Sequence, residues 1–291
     1  MSDSSRDGSR DVDGLPIDAG TALYAVFGDP VGHSLSPVMH NRAFSVCGIQ
    51  AVYLAFRIKD IAAAVGAVRA LPMRGVSVTL PHKVAVMGYL DSVDDTAYDI
   101  GAVNTLVWRE GALHGTNTDG AGAVGALREV AGLKGARVAV IGAGGAARAV
   151  VHGMSAAGAR VTVVNRSEER GRRLAARQQG SYCPLDAFGG LEWDILVNAT
   201  PVGMYPDVEA IPVPEKEIRP GTVVMDTVYN PMRTRLIHAA EKRGCRVVTG
   251  DAMFVHQGAA QFTLWTGRPA PVEAMREAVL AALGAEPAEA V

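Results

Sequence analysis

The chain has 291 residues, a formal net charge of -2 and 48% hydrophobic residues, and 5% of its residues are aromatic. This length suits one large domain or two moderate ones, each able to bury a core. The charge favours neither nucleic acid nor an anionic membrane as a partner, and no apolar run reaches the roughly 20 residues of a spanning helix. The widely spaced Cys47, Cys183 and Cys245 predict buried thiols in a reducing compartment, the cytoplasm, and not a disulfide framework or a zinc site.

The N-terminal part of the chain alternates between short apolar runs and helical segments. Residues 1–20 are mostly polar and predict a disordered tail. Strands are predicted at 23–27, 51–57 and 75–79, helices at 37–47, at 60–70 and from Pro81 onward, and a hairpin at 102–108 and 112–115. This order of elements favours a mostly parallel sheet.

A helix at 119–130 leads into a second alternating series. Its predicted strands lie at 137–141, 160–164, 194–199, 222–226 and 245–248, and its predicted helices follow the glycine loop at 142–147 and lie at 168–179 and 232–242. Two helices, at 251–265 and 271–283, close the chain before a short frayed end at 284–291. The two series predict an α/β protein with two domains.

The strongest functional signal is a strand, a glycine loop and a helix at 137–154. The loop follows the G-x-G-x-x-A pattern of dinucleotide-binding proteins, in which Gly142 permits a tight turn and Gly144 lets the backbone approach a pyrophosphate. Ala147 is small enough for the helix to pack against the strand. The unpaired N–H groups of the helix N-terminus attract phosphates. The alternative is a glycine-rich turn that binds nothing.

The residues after the second strand of this unit indicate which dinucleotide binds. NAD is usually held there by a carboxylate on its ribose hydroxyls, whereas this chain has Asn165, Arg166 and Ser167, with Arg170 one turn later. A guanidinium pairs with phosphate oxygens in a bidentate fork. The sequence therefore predicts NADP, through its 2′-phosphate.

Three polar clusters lie at predicted strand ends, where α/β sheets place ligands. Ser34 and Ser36 precede a helix and could bind a carboxylate, although Ser36 could instead cap that helix. Lys83 follows Pro81 in a predicted first helical turn, where a cation is unfavourable unless it has a function, although it could also be a surface lysine. Asn104 and Asp119 flank the hairpin and could share one cleft, although Asp119 could be a helix N-cap.

Eight short motifs together resemble the shikimate dehydrogenase family over nearly the whole chain. They are S-L-S-P at 34–37, V-T-L-P-H-K at 78–83, G-A-V-N-T at 101–105, N-T-D-G at 117–120, G-A-G-G-A at 142–146, N-R-S at 165–167, N-A-T-P at 198–201 and M-F-V-H-Q at 253–257. The resemblance implies an enzyme that interconverts 3-dehydroshikimate and shikimate with NADP in aromatic amino-acid (chorismate) biosynthesis. It implies a mostly parallel α/β substrate domain, residues 21–118 with 252–291, and a Rossmann-type NADP domain, residues 119–251.

The resemblance also implies roles for individual residues. Lys83 and Asp119 match the catalytic pair. The matched substrate-binding residues are Ser34, Ser36, Thr79, Asn104, Tyr229 and Gln257. The matched cofactor-binding residues are Asp95, Gly142, Ala143, Gly144, Gly145, Ala146, Asn165, Arg166, Ser167, Arg170, Thr200, Thr227 and Gly250. No metal is expected, and the family contains both monomers and homodimers.

One residue departs from the family pattern. Ser77 stands where most members have an asparagine that helps to hold the substrate hydroxyls, and serine has a shorter reach. The substrate could therefore be quinate, an aminated shikimate or a related cyclic acid. A non-catalytic NADP-binding regulatory protein is the alternative from another class, but it would not need Lys83, Asp119 and the paired serines.

Overall fold

The computed structural model describes residues 17–71 and 73–285. The expected tail at 1–20 therefore lies mostly outside the described residues, as does most of the expected frayed end at 284–291. Residues 18–20, which the sequence places in the tail, form a turn in which the Asp18 carboxylate accepts hydrogen bonds from the Gly20 N–H and the Gln50 amide. Within the described part, the chain forms two six-stranded sheets with helices packed around them.

The first sheet has the strand order β2-β1-β3-β5-β6-β4. Its elements are β1 (Ala22–Gly28), α1 (Ser36–Val46), β2 (Ala51–Arg57), α2 (Ile61–Ala70), β3 (Gly75–Val78), β4 (Ser92–Val93), α3 (Asp95–Ile100), β5 (Thr105–Arg109) and β6 (Ala112–Thr116). Strands β1, β2 and β3 are parallel, as the alternating pattern predicts. The hairpin β5–β6 is antiparallel and makes the sheet mixed.

The second sheet is wholly parallel, in the order β12-β11-β10-β7-β8-β9. Its elements are β7 (Arg137–Ile141), α5 (Gly145–Ala156), β8 (Arg160–Asn165), α6 (Glu168–Arg177), β9 (Ser181–Pro184), β10 (Ile195–Asn198), β11 (Val223–Asp226), α7 (Arg235–Lys242) and β12 (Arg246–Val248). Strands β8 and β9 are added on one side of β7, and β10, β11 and β12 on its other side. This change of side is the Rossmann arrangement, in which the ligand crevice lies at the carboxyl end of the central strand, here β7.

Three further α-helices complete the described part of the chain: α4 (Asp119–Arg128), α8 (Gly250–Thr266) and α9 (Val272–Ala285). The first turn of α8 belongs to the core of the second sheet through Ala252 and Met253. The rest of α8 and α9 packs on α1 and the first sheet, with Phe262 and Met275 fully buried there. Apart from Ala252 and Met253, this packing supports our proposal that residues 21–118 with the described part of 252–291 form one domain and residues 119–251 the other.

The α-helix predicted from Pro81 onward is not formed, so this prediction is wrong. Residues 80–84 form turns and a short 3₁₀ helix follows at Ala85–Tyr89. The Lys83 carbonyl accepts a hydrogen bond from the Val103 N–H, and the Met87 N–H bonds to the Val84 carbonyl instead. The Lys83 carbonyl is thus bonded to a residue distant in sequence, and the α-helical hydrogen bond from the Met87 N–H to this carbonyl is not made. Lys83 has no α-helical first turn around it, so its place in the chain cannot be explained by a helix end.

Candidate active site

The topology of the first sheet brings the polar clusters to one edge. Strands β1 and β3 are parallel neighbours, so the segments after Gly28 and after Val78 leave the sheet at the same edge. Strand β5 is antiparallel to β3 and begins at that edge, where Ser77 pairs with Thr105, while β6 ends beside it. Residues far apart in sequence therefore meet here.

Lys83 and Asp119 are joined at this edge. The Lys83 Nζ lies 2.6 Å from the Asp119 Oδ2, and the two side chains are 22% and 11% exposed. Both groups are thus sheltered from bulk water but remain accessible, as an acid–base pair must be. The geometry excludes the interpretation of Lys83 as an unpaired surface lysine.

Asp119 is the first residue of α4, and the helix is not capped by its side chain. The N-cap is Thr118, with no side-chain capping bond. The Asp119 backbone N–H donates to the Asn117 Oδ1 at 3.0 Å, and the Asn117 amide donates to the Ala102 carbonyl. Asn117 was not among the predicted site residues, although it belongs to the same N-T-D-G motif. It holds the backbone of Asp119 so that the carboxylate turns toward Lys83.

Asn104 supplies the other hydrogen bond to this carboxylate. Its Nδ2 donates to the Asp119 Oδ1 at 2.8 Å and to the Thr118 Oγ1 at 3.0 Å. The Thr118 N–H donates to the Asn104 Oδ1 at 2.9 Å. Asn104 is only 2% exposed, so its amide is fixed in one orientation. Each oxygen of Asp119 therefore has its own donor, Lys83 on one side and Asn104 on the other.

The serine pair lies at the start of α1. The helix begins at Ser36 with Leu35 as the N-cap and no side-chain capping bond, so Ser36 does not cap it. The Ser34 Oγ accepts a hydrogen bond from the Ser36 N–H at 3.3 Å. Thr79, directly after β3, is partly exposed on the same edge. These three hydroxyls remain candidates for substrate contacts.

Gln257 lies on α8, which packs closely against α4, the helix that begins at Asp119. A Cβ at Gly122 would lie 2.8 Å from the Gln257 Cβ and from the Met253 carbonyl oxygen, so only glycine allows this approach. The Gln257 Nε2 donates to the Phe254 carbonyl at 2.9 Å. The Tyr229 ring packs on Phe254, with ring centroids 5.3 Å apart. Gln257 thus lies on α8, and Tyr229 packs beside this helix.

The glycine loop has the geometry that its sequence predicts. Gly142 has a φ of +116°, and a Cβ there would lie 2.9 Å from the Thr200 Cγ2. Gly144 is the N-cap of α5, and no side chain caps this helix. A Cβ at Gly144 or Gly145 would meet no atom within 4 Å. Open space and free N–H groups at a helix N-terminus are what a pyrophosphate needs. The loop therefore fits a dinucleotide.

Two arginines, one directly after β8 and one in the first turn of α6, are free to bind a phosphate. Arg172 and Arg173 pair with Glu168 and Glu169 on α6. The exposed side chains of Arg166 and Arg170, in contrast, have no hydrogen bond or ion pair with any residue that the structure describes. The Asn165 amide donates to the Ser167 carbonyl at 2.8 Å and shapes the turn between them. The unpaired guanidinium groups fit a 2′-phosphate.

The other predicted cofactor residues lie on separate segments. Thr200 follows β10, where its hydroxyl donates to the Asn198 Oδ1 at 2.6 Å. Thr227 follows β11, and its N–H donates to the Asn198 carbonyl. A Cβ at Gly250 would lie 2.4 Å from the Val228 carbonyl oxygen, so α8 starts tightly against this loop. Asp95 is exposed in the first turn of α3, in the first sheet's part of the chain.

Asp226 holds the loop that carries Thr227 and Tyr229. Its carboxylate accepts hydrogen bonds from the Asn198 amide at 3.0 Å, the Val228 N–H at 3.0 Å and the Thr234 hydroxyl at 2.7 Å. Burial raises the pKa of Asp226 to about 6, although these three donors lower it. The folded protein therefore prefers the protonated carboxyl more strongly than the unfolded chain does.

This shift predicts a pH dependence of stability. Because the pKa of Asp226 is higher in the folded state, its contribution is fully present below about pH 4 and is lost as the pH rises through about 6. Relative to Asp226→Asn, the wild type should lose up to about 3 kcal/mol of unfolding free energy over this range. Urea unfolding of both proteins at several pH values measures the difference. Parallel pH profiles would show that Asp226 does not titrate in this window.

The described residues contain neither a cluster of metal ligands nor a helix that could span a membrane. Among residues 17–71 and 73–285, no three histidine, cysteine, aspartate or glutamate side chains come together as metal ligands. None of the helices in this part of the chain combines the length and the apolar character that crossing a bilayer requires.

Three family models match the chain. The Shikimate dehydrogenase substrate binding domain matches residues 26–106, the Shikimate / quinate 5-dehydrogenase model matches residues 125–203, and the Shikimate 5'-dehydrogenase C-terminal domain matches residues 252–280. The first and third matches fall on the two segments that pack around the first sheet.

Curated proteins and solved structures agree with these models. The chain is 46% identical over 286 residues to a shikimate dehydrogenase (NADP(+)) of Moorella thermoacetica, covering 93% of this chain and 97% of that protein. A crystal structure of a shikimate dehydrogenase in complex with NADP+ superposes with a TM-score of 0.89 at 37% identity, covering 93% and 98% of the two chains. The Thermus thermophilus shikimate 5-dehydrogenase in complex with NADP(H) and shikimate gives 0.85 at 39% identity, covering 90% and 100%.

Proposed function

The chain belongs to the shikimate dehydrogenase family, and we propose that it catalyses the reversible NADP-dependent reduction of 3-dehydroshikimate to shikimate in aromatic amino-acid (chorismate) biosynthesis. The observation that carries the proposal is the Lys83–Asp119 pair, 2.6 Å between Nζ and Oδ2, at the edge that also presents Ser34, Ser36 and Thr79. A protein that only bound NADP would have no use for this pair.

The reaction requires the addition of a hydride and a proton to one carbonyl group. NADPH, when bound by the glycine loop and Arg166, supplies the hydride. Lys83 donates a proton to the carbonyl oxygen as it becomes a hydroxyl, and it recovers that proton from the hydroxyl in the reverse direction. Asp119 orients the Lys83 ammonium and accepts a hydrogen bond from a substrate hydroxyl. No covalent intermediate is needed.

The remaining polar groups fix the position and orientation of the substrate. We assign the substrate carboxylate to the Ser34 and Ser36 hydroxyls, which can both donate. The ring hydroxyls fall to Thr79, Asn104 and Gln257, and Tyr229 gives a further contact. Fixing the ring in this way brings its reactive carbon to the nicotinamide, which converts a bimolecular step into an effectively unimolecular one.

The function is tested by steady-state rates with shikimate and quinate, each with NADP+ and NAD+. We expect the highest kcat/KM for shikimate with NADP+. A higher kcat/KM for quinate, or for another cyclic hydroxy acid, would mean that this compound and not shikimate is the substrate. Ser77 is the residue that motivates this comparison. Tight NADP+ binding without any change in absorbance at the reduced-nicotinamide band, across the whole panel, would favour a regulatory protein.

We further propose that the enzyme works in the cytoplasm. Cys47, Cys183 and Cys245 are free thiols, as expected in a reducing compartment, although each is only partly buried and the prediction that they are buried is wrong. The assembly is a monomer or a homodimer, which light scattering of the purified chain distinguishes.

A further inference from the structure

A series of buried hydrogen bonds lies behind the Lys83–Asp119 pair, and we call its first five residues the Gln261 network. It runs from the Tyr53 hydroxyl to the Ser77 Oγ (2.6 Å), from Ser77 to the Gln261 Oε1 (2.9 Å), from the Gln261 Nε2 to the Thr105 Oγ1 (2.9 Å), and from Thr105 to the Asn104 Oδ1 (2.7 Å). The Asn104 Nδ2 then donates to Asp119. None of these residues is more than 8% exposed.

The direction of every bond in the Gln261 network is determined. A backbone N–H can only donate, so the atom of Asn104 that faces the Thr118 N–H is the oxygen. Thr105 must therefore donate to that oxygen, and its own oxygen must accept from the Gln261 Nε2. The Gln261 Oε1 then faces Ser77, which donates to it.

We propose that Gln261 is a positioning residue for this reaction: its amide fixes Thr105 and Asn104, and through them the Asp119 carboxylate that orients Lys83. The proposal rests on the proposed function of the Lys83–Asp119 pair. Gln261 is separated from Asp119 by Thr105 and Asn104 in the series of hydrogen bonds, so it acts on the site through those two residues. Its Nε2 also lies 3.3 Å from the Asn104 carbonyl oxygen, so one amide holds both the backbone and the side chain at the start of β5.

The network also accounts for Ser77. A serine hydroxyl has a single proton, and here Ser77 donates that proton to Gln261 while it accepts from Tyr53. Its hydroxyl therefore supports Asn104 from inside the protein and has no proton left for a substrate. Burial lowers the pKa of His40 to about 3, although Gln261 beside it raises that pKa, and burial raises the pKa of Tyr53, so both neighbouring groups are neutral in the wild type.

Gln261→Glu tests the direction of donation with almost no change in shape. The ionised carboxyl has no proton for Thr105, so Thr105 turns its own proton away from Asn104. We expect kcat/KM for shikimate to fall about tenfold, the equivalent of one hydrogen bond. Activity relative to wild type should recover as the pH is lowered from about 9 to about 6, because a buried glutamic acid becomes protonated in this range and donates again. Gln261→Met, which cannot donate at any pH, should lose activity without recovery.

Two measurements separate positioning from a general loss of structure. The dissociation constant for NADP+ should not change in either variant, because the glycine loop lies on the other sheet. Tyr24→Phe is the matched control, since it removes one hydroxyl from a mostly buried ring, 5% exposed, and that hydroxyl has no hydrogen bond to any described residue. Its kcat/KM should stay within about twofold of wild type. A drop in Tyr24→Phe equal to that in Gln261→Glu, or a loss in Gln261→Glu that does not depend on pH, would overturn the proposal.

An activity-independent measurement completes the test. In ligand-free protein labelled with ¹⁵N-asparagine, the side-chain amide protons of Asn104 should exchange slowly with solvent in the wild type and faster in Gln261→Glu at high pH. Asn104→Asp assigns the signals. Unchanged Asn104 signals would refute the positioning role even if the enzyme is active. A wild type that is inactive with shikimate but shows the expected exchange would instead refute the proposed function alone.

Discussion

Replacing Lys83 with alanine is expected to lower kcat by about 10²–10⁴-fold, the usual contribution of a positioned general acid or base. The Lys83 Nζ is the one cationic group that contacts Asp119 within the described residues, at 2.6 Å. The KM for shikimate should change far less, because the serine hydroxyls, Thr79 and Gln257 hold the substrate without it. Steady-state kinetics at saturating NADP+ give both parameters.

Lys59→Ala is the matched control for the loss of one lysine. Lys59 is exposed, lies in the same sheet's part of the chain and has no ion pair among the described residues. Its kcat should equal that of the wild type. If Lys83→Ala kept a near-normal kcat, proton transfer would have to be assigned to another group.

Replacing Arg166 and Arg170 together with alanine is expected to weaken NADP+ binding by roughly 100-fold or more, since charge-assisted hydrogen bonds contribute about 1.5–3 kcal/mol each. Binding of NAD+, which has no 2′-phosphate, should hardly change. The preference for NADP+ over NAD+ would thus largely disappear, while kcat with shikimate at saturating cofactor would be kept. Isothermal titration with both dinucleotides measures the effect.

Arg173→Ala serves as the control here, because Arg173 lies on the same helix but is paired with Glu169 at 2.5 Å. Its removal should leave both dissociation constants unchanged. An equal loss of NADP+ and NAD+ affinity in the double variant would mean that the two arginines bind the pyrophosphate or support the fold, and do not read the 2′-phosphate.

The parts that could be predicted from sequence are those with a local cause. Period-2 and unbroken apolar runs mark β1, β2, β7 and β8 to within a residue or two, because the apolar pattern that identifies a strand lies in the residues of the strand itself. The positive φ of Gly142 follows from the glycine pattern for the same reason. Asp60, the first residue of the segment predicted as a helix at 60–70, is a further local signal: its carboxylate accepts hydrogen bonds from the Ala62 and Ala63 N–H groups, as an N-cap does.

The parts that could not be predicted depend on partners far away in sequence. Pro81 predicts the start of a helix, but the Val103 N–H donates a hydrogen bond to the Lys83 carbonyl and no α-helix forms there. Ser77 and Gln261 are separated by 184 residues, and nothing near either one indicates their hydrogen bond. Gln257 and Gln261 are four residues apart and share one face of α8, and this spacing is the local signal that links Gln261 to a predicted site residue.

The most direct test of the account is a crystal structure of the wild-type protein with shikimate and NADP+ bound together. We predict that one ring hydroxyl lies within hydrogen-bond reach of both the Lys83 Nζ and the Asp119 carboxylate, with its carbon about 3–3.5 Å from C4 of the nicotinamide. A ring bound with that carbon against the nicotinamide, but with its hydroxyl out of reach of both residues, would contradict the account.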